Sequence, residues 1–379
     1  MYLRDREVRK DNTIEVFFAL VRGGLWEQEV SLSSYGEVDL LEVFRLAEEQ
    51  SVVGLVTAGL EHVTDVKLPK EQVLQFVGSA LQIEQQNKAM NEFVASLIAD
   101  LRRHGIYTLL VKGQSIAPNY ERPLWRSCGD VDLFLSDDNY TKTKDYLTPQ
   151  ASSIEVEGRY GQHLGMTIDP WVVELHGSLR CGFLGRTDRV LDKVRENTFY
   201  NGNVSSILIE KVQIFKLGKE NEVFYVFTHF LGHFYKGGIG LRQICDWCRL
   251  LWTFKDSLDL KVLEDLLKKA GLMTEWKAFG AFANEYLRLD EVTIPFYLGG
   301  SRWRRKAARI KKFIIKVGNF GHNRDMSYFS TKPYLVRKTM SLGRMVGDLL
   351  NHFCIFPFDT LRFTPRIVIN GLKSAANGE

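Results

Sequence analysis

The feature that most constrains this 379-residue sequence is a change of hydrophobic period at Gly105. Upstream, Val73, Phe76, Val77, Leu81 and Ile83 begin a stripe. Met90, Phe93, Val94, Leu97, Ile98 and Leu101 continue it. Their three- and four-residue spacing predicts a long helix over 70–104, with Gly105 as its C-cap. Downstream, Ile106-Tyr-Thr-Leu-Leu-Val111 is a short β-type run that ends at Lys112-Gly113. A chain that changes period in this way predicts helices and a sheet held in separate segments.

The same reading extends along the chain. Val38 to Val63 is helical in spacing. Val131 to Leu135 alternates as a strand, and Ser136-Asp137-Asp138 offers N-caps for a helix through Leu147. Ser153 to Val156, Leu164 to Ile168 and Val172 to Leu175 are strand candidates, with Asp169-Pro170 as the turn between the last two. Val223 to Tyr235, Leu241 to Phe254, Lys261 to Ala270, Thr274 to Leu287, Ser301 to Val317 and Tyr334 to Phe353 read as helices, with Pro357 and Pro365 in an irregular tail. The expected organisation is α+β: a helical region over 1–104, a mixed-sheet core with few helices over 105–210, a helical domain over 211–300 that completes a cleft, and a basic helical tail over 301–379.

Composition excludes several classes. Apolar content of 45 % and charged content of 25 % are ordinary for a globular protein. No internal repeat or low-complexity segment is evident, and no run approaches the length needed to cross a bilayer. Residues 1–11 are charged, and Ile14 to Val21 is too short and too poorly flanked for a signal peptide. Five scattered cysteines argue against a disulfide scaffold, so a reducing, cytoplasmic setting is the expectation. The net charge of +4 is unevenly spread: residues 301–379 carry sixteen Lys or Arg against four Asp or Glu, +12, which leaves −8 for the first 300. That split suggests an anionic partner or membrane surface for the tail.

The sharpest chemical signal is Gly129-Asp130-Val-Asp132-Leu-Phe134. Residues two apart on a strand share a face, so Asp130 and Asp132 present both carboxylates together. Such a pair suits a hard divalent ion such as Mg²⁺ or Mn²⁺, bound together with substrate phosphates. Two metals about 4 Å apart activate an attacking oxygen and neutralise a leaving pyrophosphate. They need a third carboxylate from a neighbouring strand. Glu174, between apolar residues in Val172-Val-Glu-Leu-His176, fits that role, and Asp169 is its nearest competitor. Lys112-Gly113 closes one strand and opens a helix, where backbone N–H groups hold phosphate and Ser115 adds a hydroxyl.

This order of parts resembles the DNA-polymerase-β-like nucleotidyltransferase superfamily, although the usual Gly-Ser pair is here Gly113-Gln114-Ser115 and the gap to Asp130 is longer than in minimal members. More closely, Leu110-Val-Lys112-Gly113, Arg122-Pro123, Arg126, Gly129-Asp130-Val-Asp132 and Glu174-Leu-His176 look like a bacterial family described only as uncharacterised nucleotidyltransferase. Phe227-Thr-His229, His233-Phe234, Leu241-Arg242, Asp246, the basic tail and Phe356-Pro357 extend the likeness over about residues 70 to 360. The resemblance implies a nucleotidyltransferase fold flanked by helical regions, with an NTP such as ATP as donor. It implies Asp130, Asp132 and Glu174 as metal ligands, and Gly113 and Ser115, beside Gly129, at the triphosphate. Lys112, Arg122 and Arg126 would neutralise phosphate charge. It does not supply the acceptor.

Other residues have competing readings. His229 and His233 share a helix face but lack the Glu of a zinc-protease motif, so packed histidines touching the cleft are the favoured reading; Lys236 and Arg242 can join them on an anionic group. His176 lies on the face of Glu174, as its partner or as a base. Cys245-Asp-Trp-Cys248 has no second pair and reads as core. Arg302 to Lys316 has eight cations and no acid; a solvated basic face whose apolar stripe packs on the core is favoured over a phosphate- or nucleic-acid-binding face or an interfacial membrane helix, and no nucleic-acid module accompanies it. The expected activity is metal-dependent transfer of a nucleoside monophosphate to a hydroxyl or phosphate of a small molecule, glycan or peptide. A sugar-nucleotide donor or phosphorylated acceptor, and a non-catalytic nucleotide-binding scaffold, are the alternatives.

Overall fold

The computed structural model describes residues 2–157, 162–183, 185–236, 238–319, 334–361 and 364. The remainder of the expected basic tail, Pro365 included, lies outside the described residues.

The N-terminal region is helical as expected: α1 (Tyr2–Trp26), α2 (Leu40–Glu49), α3 (Val53–Glu61) and α4 (Lys70–Arg103). Asp39 caps α2 by accepting from the Glu42 backbone N–H at 3.0 Å. α4 is one continuous helix, and Gly105 follows it at φ +70 while the Ile106 N–H returns to the Leu101 carbonyl at 3.0 Å. A left-handed residue is needed there to satisfy the last carbonyls, which is why the stripe stops at a glycine.

The sheet begins with β1 (Leu109–Val111), followed by a one-turn helix α5 (Gly113–Ile116), β2 (Asp130–Phe134), α6 (Asp137–Leu147), β3 (Ser153–Ile154), β4 (His163–Ile168) and β5 (Trp171–His176). Next come α7 (Arg186–Tyr200), β6 (Val204–Ile209) and β7 (Val212–Leu217). The seven strands lie in the order β3-β4-β5-β2-β1-β7-β6. β2 runs parallel to β5, and β1 is antiparallel to β2 and parallel to β7. One face carries Val131, Leu133, Val173, Leu175, Leu164 and Met166 into a core with Met90, Val94, Ile98 and Leu101 of α4. Alternation places Asp130, Asp132, Glu174 and His176 on the opposite face of β2 and β5, together with Val172 and Phe134.

Two features depart from the sequence expectation. The sheet runs on past residue 210, because β6 and β7 form a hairpin that turns at Glu210 and Lys211 with φ +46 and +68. A tight hairpin favours positive φ at both central residues, and without Asn or Gly the sequence carries no turn signal. Helix α7 interrupts the region expected to have few helices; its inward stripe of Val190, Leu191 and Val194 is set among charged residues.

The chain closes with α8 (Lys219–Lys236), α9 (Leu241–Phe254), α10 (Leu260–Ala270), α11 (Met273–Leu287), α12 (Ser301–Val317) and α13 (Tyr334–Ile355). Residues 357–361 are helical, where an irregular tail is expected. The stripe of α12 is buried at Ile310, Phe313, Ile314 and Val317, and most of its cations form the outer face, while Lys306 and Lys311 are half-buried. Cys245 and Cys248 are buried free thiols. No helix among the described residues is long and apolar enough to cross a membrane.

The N-terminal and C-terminal helices share one core. Phe17, Phe18 and Leu20 of α1 pack in the same cluster as Phe227, Trp276, Phe282 and Ile314. The Trp26 Nε1–H donates to the Leu287 carbonyl at 2.6 Å. The Gln50 amide donates to the Ile314 carbonyl at 3.2 Å, and its oxygen accepts from the Leu241 N–H at 3.0 Å. Helices α1 and α3 cross on glycines: a Cβ on Gly24 would lie 1.9 Å from the Leu55 carbonyl oxygen, and one on Gly59 would lie 2.0 Å from that of Leu20. Gly59→Ala gains helix propensity of about 1 kcal/mol. It forces the helices apart, at an overpacking cost of about 1–3 kcal/mol. Urea denaturation is expected to show a net loss of stability, whereas a gain would mean that the crossing relaxes freely.

Candidate active site

The parallel pairing of β2 with β5 sets Asp132 directly beside Glu174, and Asp130 lies one pleat along on the same face. Oxygens of the three carboxylates lie within 4.8 Å of one another. Asp169 is exposed in the β4–β5 turn, away from this group, so Glu174 is the acid that stands with Asp130 and Asp132. Burial, then the neighbouring Asp132 carboxylate, raises the pKa of Asp130 above its ordinary value.

Cations hold the acids together. The Lys112 Nζ lies 2.6 Å from Asp132 Oδ1, and His176 Nε2 lies 2.7 Å from the same oxygen and 3.3 Å from Glu174 Oε2. A further histidine, His163, places its Nε2 3.2 Å from Glu174 Oε2. Hydrogen bonds from His163 and then His176 hold the Glu174 carboxyl far below its ordinary range. Burial disfavours a charged His176, yet its bonds to Asp132 and Glu174 outweigh that and raise its pKa. Burial likewise opposes the Lys112 charge, and the Asp132 carboxylate together with Tyr225, Asp130 and Glu174 outweighs it and raises its pKa. His229 Nε2 stands 3.3 Å from Lys112 Nζ. Burial and then the Lys112 charge push His229 well below its ordinary pKa, so it is neutral and accepts from the ammonium. His233, its ring 4.6 Å from that of His229, is pushed down to about 4 by burial and then Lys112.

The turn before α5 is built around Lys112 at φ +58 and Gly113 at φ +41, and a Cβ on Gly113 would meet Cys128 Sγ at 3.0 Å. The Ser115 hydroxyl donates to the Lys112 carbonyl at 2.7 Å, so it closes the turn from inside. With a single turn of helix behind it, this segment has little dipole to offer an anion, and its charge comes from side chains. The long connection to β2 is pinned by Asn87 of α4, whose amide donates to the Leu124 and Arg126 carbonyls at 2.8 Å each.

Helices α8 and α9 form the far wall of the cleft, where His229 and Arg242 face Lys112, Asp130 and Asp132. Arg242 donates from Nη1 to the Ser127 carbonyl at 2.6 Å, and its buried Nε has no partner among the described residues. Arg126 borders the same cleft but is committed to Asp246 by two 2.7 Å bonds, to which the Tyr120 hydroxyl adds a third at 2.7 Å. Arg122 pairs with Glu27 at 2.9 Å and Glu61 at 2.8 Å. Lys236 is exposed and donates to the Cys181 carbonyl at 2.5 Å. Gly129 is exposed with open space around it. The structure thus gathers Lys112, Gly113, Asp130, Asp132, Glu174, His176, His229 and Arg242, and commits Arg122 and Ser115 to internal partners. His163 escapes the sequence reading because the alternating run is taken from Leu164; its only signal is its place opposite His176 across the hairpin.

Residues 36–288 match the family model described as uncharacterised nucleotidyltransferase. The chain belongs to this family. Among solved structures it is similar to an antigenic nucleotidyltransferase-like protein from Paracoccidioides brasiliensis, at 16 % identity and a TM-score of 0.29, over 49 % of this chain and 90 % of that one. No curated protein matches. In this nucleotidyltransferase family member, therefore, the roles of individual site residues rest on their own geometry.

The Arg126–Asp246 pair ties the β2 approach to α9. Burial raises the Asp246 pKa, but Arg126 outweighs it and holds the carboxyl below its ordinary 3.8. A depressed carboxyl contributes stability that is present above its unfolded pKa and lost as pH falls through the folded one. Asp246→Asn leaves a buried guanidinium without its counter-charge, at an expected cost of about 3–5 kcal/mol. Urea denaturation at pH 7 and at about pH 3 checks both points: the variant loses stability at the higher pH and less at the lower. An equal loss at both would remove the charge as the cause.

Proposed function

We propose that this chain transfers a nucleoside monophosphate from an NTP to a hydroxyl or phosphate oxygen of a second substrate. The observation that carries the reading is the register of β2 against β5, which sets Asp132 beside Glu174 and brings three carboxylates within 4.8 Å, two of which, Asp130 and Asp132, line a cleft with cationic walls. Membership of a nucleotidyltransferase family supports it.

The donor set of three carboxylates suits Mg²⁺ or Mn²⁺. Asp130, whose protonation is favoured by burial among like charges, gains most from a cation between the acids. Such an ion, when bound by Asp130, Asp132 and Glu174, would supply Lewis-acid polarisation of the phosphate and charge neutralisation. Lys112 and Arg242 bind the phosphate chain from opposite walls, and the unpartnered Arg242 Nε is a donor available for it. His176 acts as a positioning residue: its bonds to Asp132 and Glu174 hold both carboxylates at their separation. His229, neutral, orients the Lys112 ammonium. The cleft encloses about 60 Å³, room for phosphate oxygens and a few waters, so ribose and base would lie at its mouth. Catalysis on this reading is positioning and electrostatics.

Asp130→Asn is the cleanest test, because Asp132→Asn also leaves Lys112 buried without its counter-charge. With labelled NTPs and a panel of acceptors, Mg²⁺-dependent pyrophosphate release is expected to fall at least about a thousandfold, the equivalent of about 4 kcal/mol of transition-state stabilisation. Unchanged turnover in a folded Asp130→Asn protein would sink the assignment, and release of nucleoside diphosphate from a labelled sugar nucleotide, with no pyrophosphate from the NTPs, would point to a sugar-nucleotide donor.

A further inference from the structure

On the outer side of the carboxylates, β4 and β5 bring two imidazoles to one acid. His163 stands opposite His176 in the antiparallel register, and Gly165 stands opposite Glu174. All four positions therefore lie on the face that carries Asp132. His163 Nε2 lies 3.2 Å and His176 Nε2 3.3 Å from the same oxygen, Glu174 Oε2. The three donor atoms lie within 4.8 Å of one another.

Those separations fit ligands of one ion. With metal–ligand bonds of about 2.1 Å, neighbouring donors stand about 3.0 Å apart in octahedral and about 3.4 Å apart in tetrahedral coordination. Both nitrogens present themselves to one carboxylate oxygen from rigid, paired strands, so little reorganisation is needed. Asp132 keeps a cationic partner when His176 turns its lone pair to an ion, because Lys112 Nζ is already 2.6 Å from it. Gly165 adds no side chain on this face, and the Glu155 carboxylate lies over it: a Cβ there would lie 2.6 Å from Glu155 Oε2.

We propose that His163, His176 and Glu174 form a second metal site, for a divalent transition ion of the zinc class rather than Mg²⁺. Two imidazoles and a carboxylate match the preferences of Zn²⁺, Co²⁺ and Fe²⁺, whereas Mg²⁺ prefers oxygen donors. Three protein ligands leave a position for water or substrate. Glu174 is common to this site and to the three carboxylates, so an ion here also fixes the third acid of the proposed transfer site.

The test uses Co²⁺, whose visible d–d absorption reports its coordination, titrated into the full-length protein in excess Mg²⁺ without nucleotide. The expected result is one tightly held equivalent. Affinity falls at least about tenfold in His163→Ala and His163→Gln and is retained in Asp130→Asn. The His163 side chain is 44 % exposed, so both substitutions spare the core. Binding that survives both His163 variants, or that is lost in Asp130→Asn, puts the ion among the carboxylates and overturns the proposal. So does failure of the unaltered protein to hold Co²⁺. Because no turnover is measured, either outcome stands apart from the nucleotidyl-transfer reading.

Discussion

Three carboxylates within 4.8 Å repel one another by about 3 kcal/mol per pair at an effective dielectric of about 20. The rest of the site is arranged around that repulsion. The parallel β2–β5 register imposes the proximity, and backbone hydrogen bonding leaves Asp132 and Glu174 no room to separate. Lys112 and His176 answer it from two sides, each within hydrogen-bonding distance of Asp132 Oδ1. Asp130 is the acid for which neither cation serves as a close partner, and its carboxyl is the one driven toward protonation. On the proposed reading, an anionic substrate accompanied by divalent cations would meet a surface whose internal charge is already partly balanced.

The helices matter to this arrangement because they supply the wall that faces the carboxylates. His229 and Arg242 lie on α8 and α9, and these helices are packed into a core to which α1–α3 contribute alongside the C-terminal segments. Arg126, Tyr120 and Asp246 then clamp the connection before β2 onto α9. The position of the Lys112-Gly113 turn relative to His229 and Arg242 is therefore set by the whole helical assembly as well as by the sheet.

How much of this was legible in the sequence depended on range. The α4 stripe with its Gly105 cap, the alternation around Asp130 and Asp132, and Glu174 between apolar neighbours are local patterns, and each could be read directly. Helix α7 was hidden because its apolar positions are few, and the β6–β7 hairpin because Glu210-Lys211 is not a turn dipeptide. The roles of the basic residues were the least legible. Arg122, Arg126 and Arg242 look alike in sequence. Which of them meets a carboxylate is decided by Glu27, Glu61 and Asp246, far away along the chain. His163 was missed for the same reason: its partner is the acid of the adjoining strand.

Gln50 has a consequence for how the chain is made. Its side chain is bonded to Leu241 and Ile314, 191 and 264 residues further along. At synthesis rates of 5–20 residues per second, α2 waits roughly 13 to 50 s for the second of these partners. Until the later helices are made, Phe17, Phe18 and their neighbours lack the C-terminal side chains that cover them. The nascent protein thus spends much of its synthesis as an incomplete apolar surface, and its yield in a cell depends on what shields that surface until the last helices arrive.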